Sequence, residues 1–175
     1  MGHVARTQSN QTVRNMLWSM VVISLCAGAF YIFVPHDETK TPVKRVDYRV
    51  ELLTARRAAA YPVAAPEGLA HAWKPTSVRY DGAKNDSWHL GFLDPDGEYV
   101  AIKQSTAKPT EFIREATERA EKTKVTEEIG GRTWQRYKGG TYDALVSRDK
   151  GATTVVAGTA SFGQLEKMVK ALKTS

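Results

Sequence analysis

The sequence predicts an α+β fold: one domain with a mainly antiparallel sheet covered by two or three helices, carried behind an N-terminal transmembrane helix. Three observations predict it. Met16 to Val34 is 19 residues without a charge; β-rich runs joined by turn signals occur in two blocks; and each block ends in one amphipathic helical pattern. Strands in blocks, rather than strict βα alternation, favour antiparallel pairing with helices laid on the sheet.

Residues 1–15 form a short tail, 16–34 the helix, 35–45 a polar linker and 46–175 the domain. At about 1.5 Å rise per residue the apolar run covers roughly 28 Å, close to the ~30 Å hydrocarbon core of a bilayer. Trp18 sits near one end and Phe30, Tyr31 and Phe33 near the other, where aromatics favour the headgroup level. Ala27-Gly28-Ala29 resembles a small-residue cleavage site, and cutting near Ala29 would release a secreted form. The apolar run continues past it through Val34, which favours an uncleaved anchor. Lysine and arginine alone, Arg6 and Arg14 before the run against Lys40, Lys44, Arg45 and Arg49 after it, do not place the tail inside. The nearest flanks, Arg14 on one side and Asp37 and Glu38 on the other, favour the tail inside and the domain outside the cytoplasmic membrane, since large domains translocate with little regard for their charge.

Within the domain, Val46 to Leu52 alternates apolar and polar and reads as a half-buried strand or the start of a helix. Thr54 to Ala60 is alanine-rich and helical, and Pro62 and Pro66 enforce an extended passage. Thr76 to Tyr80 is a strand ending at the turn-prone "DGAKND". Ser87 to Leu93 and Glu98 to Gln104 form a hairpin around Asp94-Pro95-Asp96-Gly97, since proline presets one turn angle and glycine accepts a positive one. Pro109 to Lys122 is helical, with Phe112, Ile113, Ala116 and Ala120 on one face and i,i+4 charge pairs on the other. Arg132 to Tyr137, Tyr142 to Arg148 and Ala152 to Gly158 are three more strands. A last helix spans Phe162 to Lys173, with Ser161 and Gln164 at capping-box spacing. Strands-then-helix occurs twice, an order compatible with internal duplication.

The formal charge of +6 does not mark a nucleic-acid binder. From Val46 onward 20 Lys+Arg face 17 Asp+Glu, interspersed and without the basic-aromatic stripe that a phosphate track needs. The single cysteine, Cys26, lies in the apolar run, so the domain has no disulfide and no Cys-based metal site.

Motifs that carry chemistry fail individually. "STAK" (Ser105 to Lys108) and "SRDK" (Ser147 to Lys150) match S-x-x-K, but that chemistry needs the serine at a helix N-terminus with partner motifs. Asp94, Asp96 and Glu98 lack the other ligand positions of a calcium loop. "GTASFG" (Gly158 to Gly163) lacks the lysine of a P-loop and reads as a strand end and helix cap. His71 and His89 are the domain's only histidines, too few for a histidine metal site, and neither has an evident partner for base catalysis. His89 follows Trp88 in a strand and therefore points to the opposite face. No cofactor or metal is expected.

The aromatics Trp73, Trp88, Trp134, Tyr61, Tyr80, Tyr99, Tyr137 and Tyr142 either line a groove or fill the core, with the core preferred. If a ligand groove exists, its candidate residues are Trp73, Trp88, His89, Lys103, Gln104 and Trp134.

Several short signatures share an order. They are Asn15-Met16 at the anchor entry, Pro35 at its exit, Val46-Asp47, Tyr61-Pro62-Val63 through Pro66 and Leu69, and "WKPTS" at Trp73 to Ser77. Trp88-x-x-Gly91, Tyr99 through Gln104-Ser105, Gly131-x-x-Trp134 and Gly158-Thr159-Ala160 complete the series. In this order the chain resembles an uncharacterised family of actinobacterial single-pass membrane-anchored proteins, a domain of unknown function. The resemblance implies an anchored extracytoplasmic domain and supplies no catalytic residue. The expected function is a non-catalytic binding or envelope-associated module. Its partners are the lipid bilayer, through residues 16–34, and an unidentified envelope protein or small ligand. The alternatives are a small membrane-tethered enzyme with an aromatic-lined pocket and the secreted form.

Overall fold

A computed structural model describes residues 9–33, 44–149 and 151–174. In chain order the elements are α1 (Ser9–Phe33), α2 (Arg49–Ala58), β1 (Ala65–Pro66), β2 (Lys74–Asp81), β3 (Ser87–Leu93), β4 (Tyr99–Ser105), α3 (Pro109–Ala116), β5 (Glu121–Ile129), β6 (Arg132–Lys138), β7 (Asp143–Asp149), β8 (Ala152–Gly158), α4 (Phe162–Ala171) and β9 (Leu172–Lys173). They fall into two compact units, Met1–Pro42 and Val43–Ser175.

In the first unit α1 carries the apolar run, and eight large hydrophobic side chains between Met16 and Leu25 are exposed. Among the described residues no helix is long and apolar enough to cross a membrane. Val34 and most of the expected linker lie outside the described residues. The transmembrane helix expected over residues 16–34 is therefore not supported by the described structure.

The second unit is α+β, with a seven-stranded sheet in the order β2-β3-β4-β8-β7-β6-β5, every neighbour antiparallel. Side chains alternate across it. Trp88, Leu90, Phe92, Val100, Ile102, Leu145 and Val156 face α2 and α4 and build the main core with Ala55, Leu165 and Met168. On the other face Ala144, Val146, Val155 and Ala157 pack under Ile113 and Ala116 of α3. The two strands-then-helix blocks thus lay their helices on opposite faces. β1 and β9 pair separately as a short two-stranded ribbon.

Of the two readings open for Val46 to Leu52, the helix start is the one that forms: α2 begins at Arg49, whose N–H donates to the Asp47 carboxylate at 3.0 Å. Two expectations are corrected. The helix expected to reach Lys122 stops at Ala116, because Glu118 and Arg119 turn left-handed (φ 52° and 67°) and the Arg119 N–H closes on the Arg114 carbonyl at 2.8 Å. Residues from Glu121 then form the edge strand β5, a ladder with β6 replacing helical hydrogen bonds; its dense charges suit an exposed edge. Finally, the capping box at Ser161 does not form. The Gln164 side chain instead donates to Asp96 Oδ2 at 3.1 Å, and α4 ends at Ala171, freeing Leu172 and Lys173 to pair with β1.

Candidate functional site

Between α3 and the open part of the sheet face on β2, β3 and β4 lies a cleft of about 480 Å³. Its floor follows from strand alternation: Trp88 points into the main core, so His89 faces the cleft, directly opposite Lys103 across the β3–β4 ladder. Arg79 of β2 and Ser87 of β3 extend the floor, while Glu111, Phe112 and Glu115 of α3 form the facing wall.

The half-buried His89 Nε2 lies 3.1 Å from Ser77 Oγ and 3.2 Å from Tyr99 Oη. Burial, then the neighbouring Lys103 and Arg79 cations, hold His89 below its ordinary value of 6.5, so its ring is neutral at neutral pH. Lys103 Nζ donates to the Ala116 carbonyl at 3.1 Å, the negative end of α3, and sits 6.0 Å from the Tyr142 ring centroid. Burial lowers its pKa, with Glu118 and Glu115 opposing. Burial raises the Tyr99 hydroxyl, and a hydrogen bond with Ser77 partly offsets it.

Gly91 makes this cluster sterically feasible. It pairs with Ser77 on β2 and Ala101 on β4, after a register shift between Pro75 and Ser77. A Cβ at Gly91 would collide with Ser77 Oγ and lie 2.6 Å from Tyr99 Oη. The missing side chain is the space in which Ser77, Tyr99 and His89 meet.

The cleft rim is strained. Asn85 and Asp86 are consecutive left-handed residues (φ 54° and 48°), a conformation that Asn and Asp tolerate better than other non-glycine residues. Ser105 Oγ and the Thr106 N–H and Oγ1 all donate to the Asn85 carbonyl, at 2.8, 3.0 and 3.0 Å. Tyr61 Oη donates to the Asp86 carbonyl and Tyr80 Oη to Asp86 Oδ1 at 2.8 Å. Burial and that last bond push the Tyr80 hydroxyl up to about 12. With Glu118 and Arg119 at the end of α3, these are the four non-glycine left-handed residues among those described.

The six sequence-predicted groove residues do not converge. Trp73, Trp88 and Trp134 lie in the main core, Trp88 with its Nε1 donating to the Ala64 carbonyl at 3.0 Å. Gln104 is buried beside them, accepting from the Ala64 N–H at 2.7 Å and donating to Thr154 Oγ1 at 3.0 Å, so it braces the Tyr61 to Ala65 passage. His89 and Lys103 face the cleft, and Trp88, although its ring is in the core, also borders it. Ser77, Gly91 and Arg79 were missed as site residues, and Tyr99 was weighed only within the aromatic set; a lone glycine inside a β-rich run is the signal that a close approach was needed.

The motifs set aside have structural places. Ser105 Oγ accepts the Ala107 N–H at 3.1 Å as it anchors Asn85, and Ser147 is buried in β7. Asp94 Oδ1 accepts the Asp96 and Glu98 N–H groups at 2.9 and 2.8 Å, closing the hairpin. Among the described residues no group of three or more His, Cys, Asp or Glu is placed to hold a metal ion. No curated protein and no solved structure matches the chain. The model of a protein family of unknown function, DUF4245, matches residues 8–172, so the chain belongs to that family.

Proposed function

We propose that this chain is a membrane-tethered, non-catalytic binding module of the cell envelope, which takes a small ligand bearing a carboxylate or similar acceptor group in the α3 cleft. One observation carries the binding reading. His89 and Lys103 face each other across two strands, both half-buried, and neither forms an ion pair among the described residues. An incoming anion would satisfy both and favour their charged forms. Titrating the protein with small carboxylates and phosphates while following the His89 ring resonances tests this. Saturable binding should raise the His89 pKa, and Lys103→Met should abolish the effect. Absence of saturable binding by any such anion would overturn the reading.

The tether is supported by the uncharged run Met16 to Val34, by the 25-residue α1 with its exposed apolar side chains, and by the anchored actinobacterial architecture that the resemblance implies. The domain then lies outside the cytoplasmic membrane. Membrane fractionation and the mass of the mature N-terminus test it. A soluble chain beginning near Phe30 would replace the anchor with the secreted form.

A second reading rests on Ser77 Oγ at 3.1 Å from His89 Nε2, the spacing of a nucleophile and its base. A small tethered hydrolase would be labelled at Ser77 by a fluorophosphonate probe. Ser77 does not line the cleft, and no acidic partner orients His89 among the described residues, which leaves binding as the conclusion.

A further inference from the structure

We infer that the outward stripe of α2 is a docking surface for anionic lipid headgroups, resting on the tether reading above. The helix turns Glu51, Leu52 and Ala55 toward the sheet: Ala55 is fully buried, Leu52 packs on the main core, and Glu51 accepts the Tyr80 N–H at 3.0 Å. At 100° per residue, Arg49, Val50, Leu53 and Arg57 then share the opposite face. Val50 is 75% exposed and Leu53 54%. Apart from α1, the other large hydrophobic side chain exposed among the described residues is Val125.

Two observations select lipid as the occupant. The stripe is basic and apolar together: Arg49 and Arg57 flank Val50 and Leu53, with exposed Lys44 and Arg45 just before the helix. Of the acidic side chains nearby, Asp47 has its Oδ1 engaged by the Arg49 N–H and Glu51 is turned inward to accept the Tyr80 N–H. Apolar side chains between cations are what an interfacial helix presents to acyl chains and headgroups. The stripe also begins soon after the apolar run. Residues 34–48 separate it from α1, a reach of about 50 Å at most, so the encounter with the bilayer is intramolecular and a weak surface suffices. One consequence concerns the ligand site. α2 covers the main-core face of the sheet and the cleft opens on the other, so a bilayer under α2 leaves the cleft turned away from lipid.

The test uses the full chain with Cys26→Ser and an environment-sensitive dye on Leu53→Cys, reconstituted into vesicles of phosphatidylcholine with or without phosphatidylglycerol. Val50→Cys gives a second labelling point, and Lys124→Cys on β5 is the control. Emission from Leu53→Cys and Val50→Cys should shift to the blue only with the anionic lipid, and Arg49→Glu/Arg57→Glu or high salt should remove the shift. A chain that fails to float with vesicles overturns the tether and this proposal together. A chain that floats but emits identically in both lipids overturns the lipid surface alone. A shift that grows with protein density in neutral vesicles also overturns it, in favour of a second copy of the chain.

Discussion

Gly91→Ala tests the geometry of the cleft most directly. The added methyl meets Ser77 Oγ and Tyr99 Oη, which hold His89 Nε2 at 3.1 and 3.2 Å. Ser77 must leave its rotamer and the Tyr99 ring must retreat, so both hydrogen bonds are lost. At about 1 kcal/mol each that is ~2 kcal/mol, and overpacking adds ~1 kcal/mol or more. Replacing glycine inside a strand returns ~0.5–1 kcal/mol of backbone entropy. The net loss is about 2 kcal/mol, or about 8 °C in Tm for a domain of this size. Urea denaturation of the full chain in detergent measures it, and the His89 ring resonances report whether the cluster has opened. Because the methyl and Ser77 Oγ compete for one space, Gly91→Ala should cost less in a Ser77→Ala background. A Gly91→Ala protein as stable as the parent, with unmoved His89 signals, would show that the cluster does not depend on that missing side chain.

Other outcomes follow from the same contacts. The depressed His89 value means the unfolded chain takes up a proton first, so stability is full above about 6.5 and falls as pH drops from there toward the folded pKa. The slope from this one group cannot exceed ~1.4 kcal/mol per pH unit. Denaturation midpoints from pH 7.5 to 5 should show less acid loss in His89→Gln than in the parent. Gln104→Leu should cost about 2–3 kcal/mol in urea denaturation, because the buried Ala64 N–H and Thr154 hydroxyl lose their partner. Gly158→Ala should prevent folding, judged by lost near-ultraviolet circular dichroism, since its methyl would strike the Tyr99 backbone carbonyl, which cannot rotate away. Lys103→Met removes a half-buried cation whose charged form burial disfavours, so stability should hold or rise by up to ~1 kcal/mol while anion binding disappears.

Much of the sheet was legible from local chemistry. The hairpin around Asp94 to Gly97 needed only proline, glycine and two β-rich runs, and it lies where those residues place it. The glycine-marked strands β6 to β8 and the apolar face of α4 follow equally local rules. The failures came where distant partners outweighed local preference. Glu111 to Lys122 has good helical spacing, yet a ladder with β6 claims everything from Glu121 onward. Gln104 looked like a pocket side chain because its alternation partners were unknown; β8 beside β4 supplies Thr154, and the Pro62–Ala65 passage supplies the rest.

The sequence by itself determined the class of fold, the apolar run with its charge-free 19 residues, and the opposite facing of Trp88 and His89, because these depend on composition and on a two-residue period along one strand. The tertiary structure alone decided that His89 would meet Ser77, Tyr99 and Lys103. Those residues come from three strands, and their convergence depends on inter-strand register, a bulge before Ser77 and the empty volume at Gly91. Register is a property of the assembled sheet, and a shift of one position would have turned the whole cluster to the other face.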